Sequence, residues 1–339
     1  YEARAAGVYT PMPTQRALRV CPDLVLLPHT AGLYGRVSRQ MFDLCETLTP
    51  VVQRNSIDEG YLDLSPCGLK DTAAVEASVR ALQARIARDL AIPVSFGLAS
   101  NKLVAQIASK LRKPRGFVVV APGEEAAFLA PLGVGRLPGI GAKTEAALQA
   151  RGLRLIGEIP QRSESELAGL FGSGWRSVLA HAQGKDDAVV ATDSADAVSF
   201  SQQETFAEDQ SDFAAVERVA KGMIDELMPR IRAEGKRVRT LTVRVRYADF
   251  TQESRGRSLE VATDLETPFY PLVAPLLRAA WSRRASLRLI SVRFSSVAEP
   301  DGQIELFAQK DDKRRRLAQV LDRINQGPGA ASVRHGHQL

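Results

Sequence analysis

With 339 residues, 45% of them hydrophobic and 25% charged, the chain is long enough for two or three domains with real cores. A formal net charge of +6 and a pI near 9.3 permit a polyanionic partner without demanding one. Three widely spaced cysteines, Cys21, Cys45 and Cys67, argue against a disulfide framework or a zinc site, and no apolar run reaches the length of a membrane span. These features fit a cytoplasmic protein with no membrane partner.

Residues 1–46 are small and mixed. Tyr1-Glu2-Ala3-Arg4 opens a helical turn that Gly7 ends, and Pro11-Met12-Pro13 starts a second helix reaching Leu18. A helix over 31–48 places Leu33, Val37, Met41, Leu44 and Leu48 on one face. Val51-Val52 then reads as a short strand and Tyr61-Leu62-Asp63-Leu64 as a second, with Asn55 and Gly60 as turn residues between them. The adjacent carboxylates Asp58 and Glu59 therefore fall at a bend. In a flat strand they would point to opposite faces, so a shared ion needs that bend. Hard cations such as Mg²⁺ bind through one or two carboxylates plus substrate phosphates, and phosphoryl transfer often uses two such ions. Alone, the dipeptide is more often solvated turn chemistry.

Strand and helix alternate from 50 to 130, the pattern of an α+β unit whose sheet carries Asp58 and Glu59 on its edge or surface. A helix spans 72–90, and Ile92-Pro93-Val94-Ser95-Phe96-Gly97 reads as a strand. Ser100 is placed to cap a helix over 101–112, Phe117–Val120 forms another strand, and a short helix runs from Glu124 to Leu129. From 131 the texture changes to short helices. Leu137-Pro138-Gly139-Ile140-Gly141-Ala142-Lys143 precedes a helix through Ala150, Gly152 caps it, and another helix begins near Ile156. This is a helix-hairpin-helix pattern. Gly139 and Gly141 let backbone N–H groups approach a phosphate, and the helix N-terminus at Lys143 adds its dipole.

Residues 185–196 are polar and read as a linker. Beyond them a β-α-β-β-α-β pattern unfolds: strand 197–206, helix 212–234, strands 237–248 and 251–262, helix 266–283 and strand 286–298. Over 236–257, seven basic residues (Lys236, Arg237, Arg239, Arg244, Arg246, Arg255, Arg257) face only Asp249 and Glu253. Arginines alternating with valines predict a basic sheet face, which is either a solvated outer surface or a seat for a nucleic-acid backbone. Gln303-Ile304-Glu305-Leu306-Phe307 sets an amide before an apolar pair, and Lys310–Asn325 forms a basic amphipathic helix.

Together these motifs resemble the Y-family translesion DNA polymerases, over residues 1 to about 325 and in consistent order. The resemblance implies an α+β, multidomain right-hand polymerase. Its parts would be partial fingers at 1–49, a palm at 50–130, a helix-hairpin-helix thumb at 131–190, a linker at 191–196 and a little finger at 197–299. A clamp-binding peptide and tail would occupy 300–339. Ser56-Ile57-Asp58-Glu59-Gly60-Tyr61-Leu62-Asp63 is similar to the palm signature, which implies that Asp58 and Glu59 are catalytic metal ligands. Tyr1 and Arg4, with Lys113 in Lys113-Pro114-Arg115-Gly116, would hold the incoming triphosphate. Gly139, Gly141 and Lys143 would grip the primer-side duplex. Arg237, Arg239, Arg244, Arg246, Arg255, Arg257, Arg288 and Arg293 would contact DNA phosphates. Gln303, Leu306 and Phe307 would dock on the bacterial sliding clamp.

The implied function is template-directed synthesis past damaged bases, by a monomer using primer-template DNA, dNTPs and two Mg²⁺ ions. The family's palm also has an N-terminal strand carrying a further metal-binding aspartate, and nothing before Tyr1 matches it. The expectation is therefore a chain that extends primers poorly. The alternative is a non-catalytic, polymerase-like adaptor for DNA and clamp, and a helix-hairpin-helix repair nuclease is a weaker third reading.

Overall fold

The structure, a computed structural model, describes residues 1–69, 71–192, 196–299 and 309–326, with Val333 and Gly336. Gln303, Leu306 and Phe307 lie outside the described residues. The chain divides into two units, Tyr1–Ser194 and Ala195–Leu339.

The first unit opens with helices α1 (Glu2–Ala5), α2 (Thr14–Val20) and α3 (Leu33–Glu46). Strands β1 (Val52–Arg54) and β2 (Gly60–Leu62) form an antiparallel pair with Val52 opposite Leu62. Helix α4 (Thr72–Leu90) follows, capped by the Asp71 carboxylate, which accepts from Ala74 N at 2.8 Å. Its residues Val79, Leu82 and Ile86 are buried at helical spacing, and the last two close a core with Phe42, Cys45 and Val52. Strand β3 (Phe96–Leu98), helix α5 (Lys102–Leu111), strand β4 (Phe117–Val119) and helix α6 (Glu125–Leu129) complete this region.

Three sequence expectations change here. The strands form two separate pairs, β1–β2 and the parallel β3–β4, and not a single sheet. The run from Ile92 contributes only Phe96–Leu98, since Pro93 has no N–H to give a ladder. The cap of α5 is Asn101, whose side chain accepts from Val104 N at 3.0 Å. Ser100 donates instead to Glu125, at 2.5 Å.

Leu103, Val104 and Ile107 of α5 share one buried core with the helices that follow. Those are α7 (Ala142–Gln149), a 3₁₀ turn at Ile156–Gln161, α8 (Glu164–Phe171) and α9 (Trp175–Ala182). The helix-hairpin-helix segment is thus mounted directly on α5, one of the elements that position the candidate site.

The second unit is built from β5 (Ser199–Gln210), α10 (Phe213–Ala233), β6 (Arg237–Tyr247), β7 (Gln252–Thr263), α11 (Tyr270–Ala280) and β8 (Leu287–Ala298). Its sheet is antiparallel in the order β5-β8-β6-β7. Helices α10 and α11 cover one face, burying Val243, Val245, Ile290, Val292 and Phe294. Each fully buried aliphatic chain contributes about 1.5–3 kcal/mol, so this face fixes the strand register. A last helix, α12 (Gln309–Gln326), is tied back onto α10: Arg232 reaches Asp322 at 2.7 Å and Glu266 at 2.6 Å. Among the described residues no helix is long and apolar enough to cross a membrane.

Candidate active site and nucleic-acid surfaces

The loop between β1 and β2 carries Asp58 and Glu59, and Ser56 organises it. The Ser56 hydroxyl donates to Asp58 Oδ1 at 2.6 Å and accepts from the Asp58 and Glu59 amides at 3.2 and 3.0 Å. The amides of Asn55 and Ser56 both donate to the Glu59 carbonyl at 2.9 Å. These bonds make the bend that the sequence required, with Asp58 exposed and Glu59 half-buried. Gly60 is forced by packing: a Cβ there would lie 2.6 Å from the Phe42 ring and 2.8 Å from the Gln53 carbonyl oxygen. The chain can therefore turn into β2 directly behind Glu59.

A cavity of about 720 Å³ opens beside this loop, lined by Asp58, Glu59, Lys110, Lys113 and Tyr1 among others. Lys110, in the last turn of α5, sits 3.6 Å from Glu59 Oε1. Sequence reasoning missed it, and its only signal was its position three residues before Lys113. Cations and carboxylates thus share one cavity, an arrangement suited to a phosphate-bearing ligand with a hard cation. Among the described residues no group of three or more metal-ligating side chains exists, so the donor pair fits an ion completed by ligand phosphates.

Arg4 does not line the cavity; its guanidinium donates to Thr10 Oγ1 at 3.4 Å. Asp63 does line it, but its carboxylate accepts from Ser65 N at 2.8 Å, and the Ser65 hydrogen bonds hold its pKa below the usual value. Tyr61, opposite Gln53 in the hairpin, has its phenol pKa pushed up by burial, then by the charges of Glu59 and Asp186.

The helix-hairpin-helix turn has the geometry its glycines predict. Gly139 takes φ +87°, which only glycine adopts cheaply, and Ile140 is buried. Gly141 is the N-cap of α7 and supplies no side-chain cap. The first-turn amides of α7 thus receive no side-chain cap from Gly141, and uncapped first-turn amides suit an anion.

In the second unit, register divides the arginines between faces. Directly opposite residues share a face. Arg244 pairs with Ser291 and Ser254, Arg246 with Leu289 and Gln252, and Thr242 with Arg293 and Gly256. On β5, Ser201 and Gln203 stand opposite Arg293 and Ser291. The face away from the helices is therefore Arg, Ser, Thr, Gln, Gly and Leu along these rows, with no carboxylate. Arg255 and Arg257 pair with Val243 and Leu241, so they project to the helix side at the β7 edge, not onto the expected single basic face. The cause is strand parity: odd positions of β7 face odd positions of β6. Arg239 lies where the β6–β7 register shifts, Arg237 stands opposite Ala298 of β8, and Arg288 stacks over the Phe250 ring at 5.0 Å.

Residues 1–110 match the impB/mucB/samB family, 122–153 the IMS family HHH motif, and 197–306 the impB/mucB/samB family C-terminal domain. A DNA polymerase IV of Opitutus terrae is 64% identical over 340 residues, covering 100% of this chain and 87% of that relative. A solved Y-family DNA polymerase chimera of Dbh and Dpo4 superposes with a TM-score of 0.79 at 25% identity, over 88% of this chain and 86% of the other. The chain belongs to the Y family of DNA polymerases. The DNA polymerase IV of Caulobacter vibrioides is 33% identical, over 100% of this chain and 84% of that protein. Within this Y-family chain, Asp58, Glu59 and Lys110 fall in the first matched segment and the Gly139–Gly141 turn in the second. The arginine-bearing sheet falls in the third, and α12 lies beyond all three. The α+β expectation agrees with the polymerase fold of these neighbours.

Proposed function

We propose that this polymerase performs template-directed nucleotidyl transfer past damaged bases, with the cavity beside Asp58 and Glu59 as its active site. The observation that carries the reading is the convergence of Asp58, Glu59, Lys110, Lys113 and Tyr1 on that one cavity. Nucleotidyl transfer is mainly positioning and charge stabilisation. Asp58 and Glu59 would hold Mg²⁺, which when bound would supply positive charge to offset that of the phosphates. Lys113 and Lys110 neutralise the triphosphate from the α5 side, and Tyr1 packs against it, with Arg4 reaching in only after leaving Thr10. Gly139, Gly141 and Lys143 take a duplex phosphate on backbone amides. Arg244, Arg246 and Arg293 take others without reading sequence. Docking of Gln303, Leu306 and Phe307 on a sliding clamp rests on the sequence motif alone.

The test is Asp58→Asn and Glu59→Gln, assayed separately for primer extension and DNA binding. Extension falls by at least about a hundredfold, the scale of losing charge stabilisation, while the Kd for primer-template stays within about twofold. Equal loss of DNA binding would make the two carboxylates structural and overturn the assignment.

A further inference from the structure

Between α9 and the second unit the chain crosses the N-terminal end of α5, and a series of polar bonds holds it there. Val189 is 77% exposed, and Asp187 and Ala188 are exposed as well, so burial does not fix these three residues. The Gly184 carbonyl accepts from Asn101 Nδ2 at 2.8 Å. The Asp186 carboxylate accepts from Leu103 N at 3.0 Å, a free first-turn amide of α5, and from Ala188 N at 3.1 Å. Lys102 Nζ donates to the Val189 carbonyl at 3.0 Å and to Gln53 Oε1 at 2.8 Å, and lies 4.8 Å from the centre of the Tyr61 ring. Gln53 Oε1 accepts a second bond, from Ala191 N at 3.1 Å.

One ammonium group therefore joins three things: the hairpin that carries Asp58 and Glu59, the helix that carries Lys110, and the strap that leads to the second unit. Gln53 stands opposite Tyr61 in the β1–β2 ladder, and Tyr61 is two residues from Glu59. The fixed end of the strap is thus referenced to the catalytic hairpin itself.

We infer that Lys102 and Gln53 are positioning residues for DNA: they clip the interdomain strap to the catalytic hairpin and so fix where the second unit's tether leaves the first. The inference rests on the proposed DNA-binding role of that unit. DNA held by both units gains from a tether whose origin is already fixed, because fewer tether conformations are lost on binding.

The experiment uses the full chain with Lys102→Met, Gln53→Leu and the conservative Lys102→Arg. Amide hydrogen exchange at Ala191 accelerates about tenfold or more in the first two, while amides within β1, β2 and α5 keep their protection. Unchanged exchange at Ala191, or loss of protection throughout the hairpin and α5, would overturn the clip. For primer-template, KM rises by about three- to tenfold as the tether origin loosens, kcat changes by less than about twofold, and Lys102→Arg restores most of the difference. The salt slope of DNA binding is unchanged. A slope lower by about one would mean that Lys102 touches a phosphate, and the positioning role would fail. A wild-type chain that does not bind DNA would overturn the proposed function and the coupling with it, whereas the exchange data would still decide whether the clip exists.

Discussion

Asp58 and Glu59 could be singled out from the sequence because adjacent carboxylates between two short apolar runs are placed by turn chemistry, a local property. Lys110 and Lys102 could not. A lysine on an amphipathic helix reads as a solvated side chain, and only packing shows that one meets Glu59 while the other is held by Gln53 and Val189. Cys45 gives a third contrast. Its thiol is buried against Phe42 and Leu82 and its pKa is pushed up to about 11 by burial, with Glu46 adding to the rise and Arg54 opposing it. Cys21 and Cys67 are only half-buried. A thiol with a raised pKa carries almost no thiolate at pH 8, and the thiolate is the reactive species. Titration of the native protein with an aromatic disulfide reagent should thus modify Cys21 and Cys67 and leave Cys45 until denaturant is added. Rapid native modification of all three thiols would show that the α3–α4 core opens readily.

At the scale of elements, helices were the most legible features. Helix α4 agrees with its expected span because a capping aspartate and a regular apolar stripe both act within a few residues. Strand positions in the second unit were also readable, but which arginine faces which way was not. Face assignment depends on register, register on pairing, and pairing on the core that α10 and α11 close from a distance. That register makes a prediction about DNA. Arg293→Ala, on the carboxylate-free face, should weaken binding to all sequences alike and lower the salt slope by about one. Arg257→Ala, on the opposite face beside Leu241, should leave the slope within experimental error. Salt-titrated fluorescence anisotropy on one primer-template distinguishes the two, and equal effects would mean that the face away from the helices is not the DNA seat.

On the scale of the whole molecule, no buried cluster among the described residues is shared between the units: one core runs from Phe200 to Phe294, and the other two lie between Phe42 and Ala182. Separate cores predict separate unfolding transitions in calorimetry. Arg232 identifies which is which. Its guanidinium is 8% exposed and pairs with Glu266 and Asp322, and its pKa is raised by those two carboxylates against the effect of burial. Removing the cation leaves buried carboxylates unpaired, at a cost of about 3–5 kcal/mol. Arg232→Met should thus lower the melting temperature of one transition by several degrees and leave the other in place. A shift of both transitions would contradict independent cores.

The sequence alone determined the elements, their order and the polymerase resemblance, because capping, periodicity and turn chemistry act over a few residues and each signature is contiguous. Tertiary structure decided the rest. It split the first unit's strands into two pairs, gathered Tyr1, Asp58 and Lys113 on one cavity, and left Arg4 on Thr10. It also clipped Val189 and Ala191 to residues 87 and 138 positions away. Such contacts arise only when distant faces close on a shared core, and no local pattern in the chain encodes which distant side chain will be there to meet them.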